Sequence, residues 1–140
     1  MAKSPGHAKW PDHHILERPL GQRVTVEVDG ERIADSHSVI QVREDGNPDR
    51  YYFPREDVRT EKLIASSVTT ECPFKGTAHY FSLQRGGTTL PEAVWSYDDP
   101  YDEHHSLRGR LAFYEEKFPQ IEIRVEAQPS RQEAALPRID

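Results

Sequence analysis

The chain contains a single cysteine, Cys72, and no long apolar run. One cysteine excludes an intramolecular disulfide and any zinc site built from cysteine pairs, and it is typical of a reducing compartment, so we expect a cytoplasmic protein. A helix that crosses a bilayer needs about 20 consecutive apolar residues, and no segment offers them. Residues 1–14 also lack the apolar stretch of a secretory signal. We therefore expect no membrane partner.

An excess of basic charge is missing as well. Lys and Arg together number 18 against 24 Asp and Glu, which gives a net charge of −6. The charges of residues 1–21 and 119–140 cancel, so residues 22–118 carry the whole excess. An acidic domain repels a phosphate polymer at long range. We therefore expect no nucleic-acid polymer as a partner, although two or three local cations could still hold a single phosphorylated metabolite.

Alternating apolar residues predict a mainly β domain built from short antiparallel strands. Val24, Val26 and Val28 alternate with polar residues and lead into Asp29-Gly30, a pair that favours a tight hairpin turn. Further strands are expected near residues 40–42, 50–53, 77–84, 93–97 and 121–125. The predicted organisation is an extended N-terminal arm over residues 1–21, a single domain over residues 22–126 and a flexible C-terminal tail over residues 127–140.

Two helical elements are predicted within this β pattern. Pro54 followed by Arg55, Glu56 and Asp57 favours a short helical turn, because proline fits a first helical position and acids suit its N-terminal end. An amphipathic C-terminal helix is indicated by apolar residues at spacings of four, three and four, and Pro119 would end it. Those residues are Leu107, Leu111, Tyr114 and Phe118.

Five sequence blocks in a fixed order resemble the domain of unknown function 427 family over about residues 13–118. The blocks are Ile33-Ala34-Asp35-Ser36, residues 51–58 (YYFPREDV), residues 72–76 (CPFKG), residues 93–97 (AVWSY) and residues 111–114 (LAFY). The resemblance implies a β-tent-like fold, in which two antiparallel sheets meet at an angle. Relatives of that architecture often bind zinc through two cysteine pairs or hold small ligands in aromatic cages. This chain lacks the cysteine pairs, so no metal is expected, and the cofactor is unknown. The family is sometimes labelled a nucleotidyltransferase, although no phosphate-binding P-loop is present.

Two cations are candidate site residues, and each has a plainer alternative. Arg55 follows a strand end, where a guanidinium can grip a carboxylate or phosphate with two N–H groups, or it can pair with Asp57 or Glu56 across the turn. Lys75, beside Gly76, can reach a ligand or act as base or nucleophile, or it can be a solvated turn lysine. Cys72 is a candidate nucleophile if a neighbouring cation activates it, but a small buried apolar role is favoured.

Aromatic residues supply the other candidates. Trp95 and Tyr97 share one strand face by their spacing of two, and with Tyr52 they can line a pocket that stacks on a ring. The alternative is that they form the core of a small β domain, which we favour for Trp95, while Tyr97 is expected at a pocket edge. The charged run over residues 98–105 is read as a solvated loop, and its two histidines are not expected to bind metal.

These candidates support three functional hypotheses. The first is a domain that binds a small anionic, nucleotide-like molecule in an aromatic-lined pocket. The second is an enzyme at the same pocket that transfers a nucleotidyl or acyl group, with Lys75 or Cys72 as the reactive residue. The third is a protein-interaction module without a ligand. The first is favoured, with the ligand-binding set Tyr52, Arg55, Lys75, Trp95 and Tyr97; the oligomeric state is unknown.

Overall fold

Ten strands account for most of the structure, a computed structural model that describes residues 2–127. A one-turn helix, α1 (Pro5–Lys9), precedes them, and three 3-10 turns span Arg55–Asp57, Thr60–Lys62 and Asp102–Leu107. The strands are β1 (Ile15–Leu20), β2 (Val24–Val28), β3 (Glu31–Ser36), β4 (Val39–Glu44), β5 (Arg50–Tyr52), β6 (Leu63–Cys72), β7 (Gly76–Arg85), β8 (Thr88–Tyr97), β9 (Ala112–Phe113) and β10 (Ile121–Val125). The predicted mainly β class is confirmed, and so is the short helical turn after Pro54.

The strands form three ladders, and every pairing within them is antiparallel. Their orders are β1-β4-β5, β10-β2-β3 and β6-β7-β8-β9. The first and third ladders touch where Phe53 and Leu111 exchange two backbone hydrogen bonds of 2.8 and 2.9 Å. These two bonds link the end of β5 to the start of β9. The region around them carries the candidate site.

The hairpin between β2 and β3 forms where the sequence predicts it. Val28 pairs with Glu31, which leaves Asp29 and Gly30 as the two turn residues. Both adopt positive φ, +49° and +84°. A two-residue turn of this kind matches the twist of paired strands, and Asp-Gly tolerates its backbone conformation at little cost.

Two hydrophobic clusters fill the interior. The larger joins the β10-β2-β3 ladder to the inner faces of β7 and β8, and includes Val24, Val26, Ile33, Phe53, Leu83, Val94, Leu111 and Phe113. The smaller cluster is rich in aromatic rings and includes Val42, Tyr52, Tyr80, Trp95, Tyr97 and Leu107. The aromatic residues therefore contribute to the packed interior, as the core alternative predicts for Trp95.

The predicted amphipathic C-terminal helix is wrong. A 3-10 turn ends at Leu107, Gly109 follows with a φ of +72°, and Ala112 already belongs to β9. Positive φ lies outside the right-handed helical region, so the helix cannot continue through Gly109. The four apolar residues do not share a face: Leu107 and Tyr114 pack in the smaller cluster, whereas Leu111 and Phe118 pack in the larger one.

The sequence predicts an extended arm for residues 1–21, of which the structure describes residues 2–21. They contain α1 and then β1, which pairs with β4 from Ile15↔Glu44 to Leu20↔Val39. Ser4 caps α1, because its hydroxyl accepts a hydrogen bond from the His7 N–H at 3.2 Å. The predicted tail over residues 127–140 lies, from residue 128 onward, outside the described residues. Within residues 2–127, no helix has the length and apolar character to cross a membrane.

Candidate functional site

The three aromatic candidates meet in the smaller core cluster. Tyr52 lies on β5, and Trp95 and Tyr97 lie two residues apart on β8. The indole N–H of Trp95 donates to the Tyr52 hydroxyl at 3.1 Å, and the Tyr52 ring lies 6.3 and 6.4 Å from the rings of Trp95 and Tyr97. All three are at most 7% exposed. Burial raises the pKa of both phenols. The rings therefore pack as core beneath the surface rather than as the open wall of a pocket.

Lys75 is buried and paired with a carboxylate. It lies in the turn between β6 and β7, where its Nζ donates to Glu44 Oε1 at 2.5 Å and its side chain is 6% exposed. His13 Nε2 lies 2.9 Å from the other Glu44 oxygen. Burial alone would raise the pKa of Glu44, but hydrogen bonds from Lys75 and His13 hold it below its usual value. Lys75 is thus neither a solvated turn lysine nor an unpaired cation, and a role as base or nucleophile stays a prediction.

Cys72 ends β6 and is half-buried. Its sulfur accepts a hydrogen bond from the Lys75 backbone N–H at 3.4 Å, and its side chain packs against the smaller core cluster. This environment suits the small apolar role that the sequence favours.

Arg55 does not form the alternative pair with Asp57 or Glu56 across its turn, since its carboxylate partner is Asp98. Its Nε donates to the Gly109 carbonyl at 2.7 Å, and one Nη donates to Ser96 Oγ at 3.2 Å and to Asp98 at 3.3 Å. Asp57 instead accepts a hydrogen bond of 2.6 Å from the Ser36 hydroxyl. Arg55 is therefore held against the end of β8 and the turn that follows Leu107.

Three arginines surround one surface cleft beside this contact. We call it the arginine cleft; it has a volume of about 360 Å³ and is lined by Pro54, Arg55, Glu56, Arg108, Gly109 and Arg110. Gly109 lies between Arg108 and Arg110 in this lining, and its positive φ is a conformation that glycine adopts without strain. Arg110 is fixed by its Nε bond to the Ser106 carbonyl and its Nη1 bond of 2.6 Å to the Ser38 carbonyl.

Within residues 2–127, each of these three guanidinium groups has N–H donors that make no hydrogen bond to another residue. Arg55 binds through Nε and Nη2, which leaves Nη1. Arg110 binds through Nε and Nη1, which leaves Nη2. The side chain of Arg108 is exposed and makes no hydrogen bond or ion pair within this range. Burial lowers the pKa of Arg110, but a guanidinium stays charged in proteins.

Most of the chain matches a known protein family. A family model described as domain of unknown function (DUF427) matches residues 17–126. The chain belongs to this family. No curated protein matches it. The arginine cleft lies wholly inside the matched DUF427 domain, whereas α1 and the residues up to 16 precede it.

A second surface groove lies where the residues before the DUF427 match meet the domain. It has a volume of about 670 Å³ and is lined by Lys9, Trp10, Pro11, Asp12, His13, Asp45, Pro73 and Phe74. Its walls are mostly apolar, and its charged residues have both signs. The groove therefore provides ring contacts but no single charge preference.

Of the two predicted cations, only Arg55 belongs to the arginine cleft; Lys75 is not among its lining residues. Sequence reasoning missed Arg108 and Arg110 altogether. The one local signal for them was the basic-Gly-basic run Arg108-Gly109-Arg110, which lay inside the predicted helix.

Proposed function

We propose that this DUF427 domain binds a small anionic molecule and that the binding site is the arginine cleft. The supporting observation is the convergence of Arg55, Arg108 and Arg110 on one cleft with N–H donors still available. Guanidinium groups bind carboxylate and phosphate oxygens through two parallel N–H bonds, which suits an anion of this kind.

The charge distribution favours a small anion over a polymer. The cleft has three arginines against one lining carboxylate, Glu56, and the Asp98 carboxylate that pairs with Arg55. The protein as a whole carries −6. Such a field repels a long polyanion, whereas a single phosphate or carboxylate group experiences mainly the nearby cations. More specifically, we propose that the anion is a phosphorylated, nucleotide-like molecule.

In this proposal the predicted aromatic residues support the cleft residues and do not contact the anion. The Tyr52 carbonyl accepts a hydrogen bond from Arg110 at 3.4 Å, and the Gly109 N–H donates to the Tyr97 carbonyl at 3.0 Å. Trp95 in turn holds the Tyr52 hydroxyl. The aromatic cluster thus positions the backbone that presents the arginines, and Arg55 is the predicted residue that contacts the anion directly.

The family's β-tent architecture and a cytoplasmic location belong to the same proposal. The Phe53–Leu111 bridge supports the architecture, because it connects the β1-β4-β5 and β6-β7-β8-β9 ladders, and the larger core cluster contains residues of all three ladders. The low cysteine content supports the location.

Calorimetric titration with inorganic phosphate and a nucleoside monophosphate tests the site. We expect Arg108→Gln and Arg55→Gln each to weaken binding by about tenfold, the loss of one charge-assisted contact. Arg43→Gln is the matched control, since Arg43 is exposed and pairs with one carboxylate at 3.2 Å, as Arg55 does. Arg108 has no partner within residues 2–127, so its variant keeps the fold. Binding that both cleft variants leave unchanged, or no binding of either probe, overturns the proposal.

A further inference from the structure

A pair of histidines joins the N-terminal segment to the DUF427 domain. His7 on α1 and His104 in the 3-10 turn Asp102–Leu107 face each other with their Nε2 atoms 2.9 Å apart. On its other side, the His104 Nδ1 pairs with the Glu17 carboxylate, which also accepts a hydrogen bond from Ser106. His104 is 3% exposed, so the expectation that residues 98–105 form a solvated loop is wrong at this position.

The spacing of the two Nε2 atoms limits the number of protons between them. A hydrogen bond of 2.9 Å needs one nitrogen to donate and the other to accept. The pair therefore holds one proton between its Nε2 atoms, and a second proton would place two N–H groups head to head. We propose that this histidine pair is a pH-sensitive latch, which holds α1 on the domain at neutral pH and releases it when a second proton enters between the two Nε2 atoms.

The charged groups around the pair make the second protonation unfavourable in the docked state. His7 faces His104 and Glu103 from the 3-10 turn, His13 from its own segment and Lys75 from the β6–β7 turn. Burial first, and then the charges of His104, His13 and Lys75, hold the pKa of His7 below its ordinary value, and Glu103 opposes them. Docking of neutral His7 therefore contributes stability above its ordinary pKa, near 6.5. That contribution is lost as the pH falls through the lowered value.

The carboxylates near the latch do not prevent the release of α1 when the pH falls. Burial alone would raise the pKa of Glu17, but hydrogen bonds from His104 and Ser106 keep it below its usual value. Glu17 thus stays ionised and holds His104. Glu103 accepts a hydrogen bond from the Ser4 backbone N–H at 2.9 Å, and its charge only partly offsets the burial and the charges that lower the pKa of His7.

Release is confined to α1, because the residues that follow are held differently. His13 Nε2 lies 2.9 Å from the Glu44 carboxylate on β4, a contact that does not involve α1. The Asp45 N–H donates to the His14 carbonyl at 3.1 Å. By contrast, the backbone bond from α1 to the domain is that of the Gly6 N–H, which donates to the Pro73 carbonyl at 2.8 Å, beside the hydroxyl of the cap Ser4, which donates to the same carbonyl at 2.7 Å. The Gly6 amide therefore reports on the latch, and the Asp45 amide serves as the internal reference.

Amide hydrogen exchange by NMR at about pH 8 and about pH 5 tests the latch, with rates corrected for intrinsic exchange. We expect Gly6 to lose about tenfold of its protection at the lower pH while Asp45 keeps its own. In His7→Gln, the amide N–H₂ can still donate to His104 but cannot titrate, so Gly6 protection stays constant. His105→Gln is the control, since His105 is an exposed neighbour that behaves as wild type. Constant Gly6 protection in the wild type refutes the latch, and so does the same loss in His7→Gln.

Discussion

Replacing Lys75 by methionine removes one partner of a buried ion pair and keeps most of the side-chain volume. The Glu44 carboxylate, 16% exposed, would then keep only His13. Removing one member of a buried pair costs about 3–5 kcal/mol. Because Glu44 retains His13 and some contact with water, we expect a loss of about 2–3 kcal/mol in the free energy of unfolding. In a domain of this size that lowers Tm by roughly 6–10 °C.

The pH dependence of this loss follows from the carboxylate. Since the pKa of Glu44 lies below its usual value in the fold, its ionised form stabilises the native state. That stability is complete above the ordinary carboxyl pKa and is lost as the pH falls through the lowered value. The difference between wild type and Lys75→Met should therefore be full at neutral pH and shrink below about pH 4.

Urea unfolding, followed by tryptophan fluorescence at neutral and acidic pH, measures both quantities. Lys62→Met is the matched control, because Lys62 pairs with Glu31 at 3.3 Å with both side chains about a quarter exposed. A pair of that kind contributes about 0–1 kcal/mol. The double variant with Glu44→Gln completes a cycle that isolates the pair from other effects of each change. If Lys75→Met costs no more than Lys62→Met, Lys75 does not hold the fold and the argument from burial is refuted.

Two further substitutions test the packing around the sites. Tyr52→Phe leaves the buried Trp95 indole N–H without its acceptor and should cost about 1–3 kcal/mol in urea unfolding; an unchanged midpoint would contradict the assigned bond. Gly6→Ala should displace α1, since the added Cβ would lie 2.6 Å from the Pro73 carbonyl oxygen; limited proteolysis should then cut the N-terminal segment faster than in Gly21→Ala, whose Cβ has no neighbour within 4 Å.

Local patterns predicted the strands well because each strand carries its own signal. The valine alternation of β2 and the Asp29-Gly30 turn lie within seven consecutive residues. The amphipathic helix failed for the opposite reason. The apolar residues between Leu107 and Phe118 have helical spacing, yet they pack in two different clusters. The spacing of apolar residues also does not reveal that Gly109 adopts a positive φ.

The candidate site could be predicted only in part because its contacts are distant in sequence. Arg55 stood out at a strand end, but the residues that complete its cleft are more than 50 positions away. Likewise, nothing near Lys75 indicates Glu44, which lies on another ladder 31 positions earlier. Charge partners of this kind depend on strand order, which side-chain patterns along a single strand do not encode.

The pairing of β10 with β2 has a consequence for how the chain acquires its structure. Ile121 and Val125 pair with Val28 and Val24, so one ladder brings together residues separated by most of the domain. Contacts of such long range slow folding, because the entropy of a large loop must be lost before the contact forms. During synthesis, the β2–β3 hairpin emerges from the ribosome early. The outer edge of β2 then stays unpaired until β10 has been synthesised. We therefore expect the domain to complete its fold late in translation, in a single cooperative step.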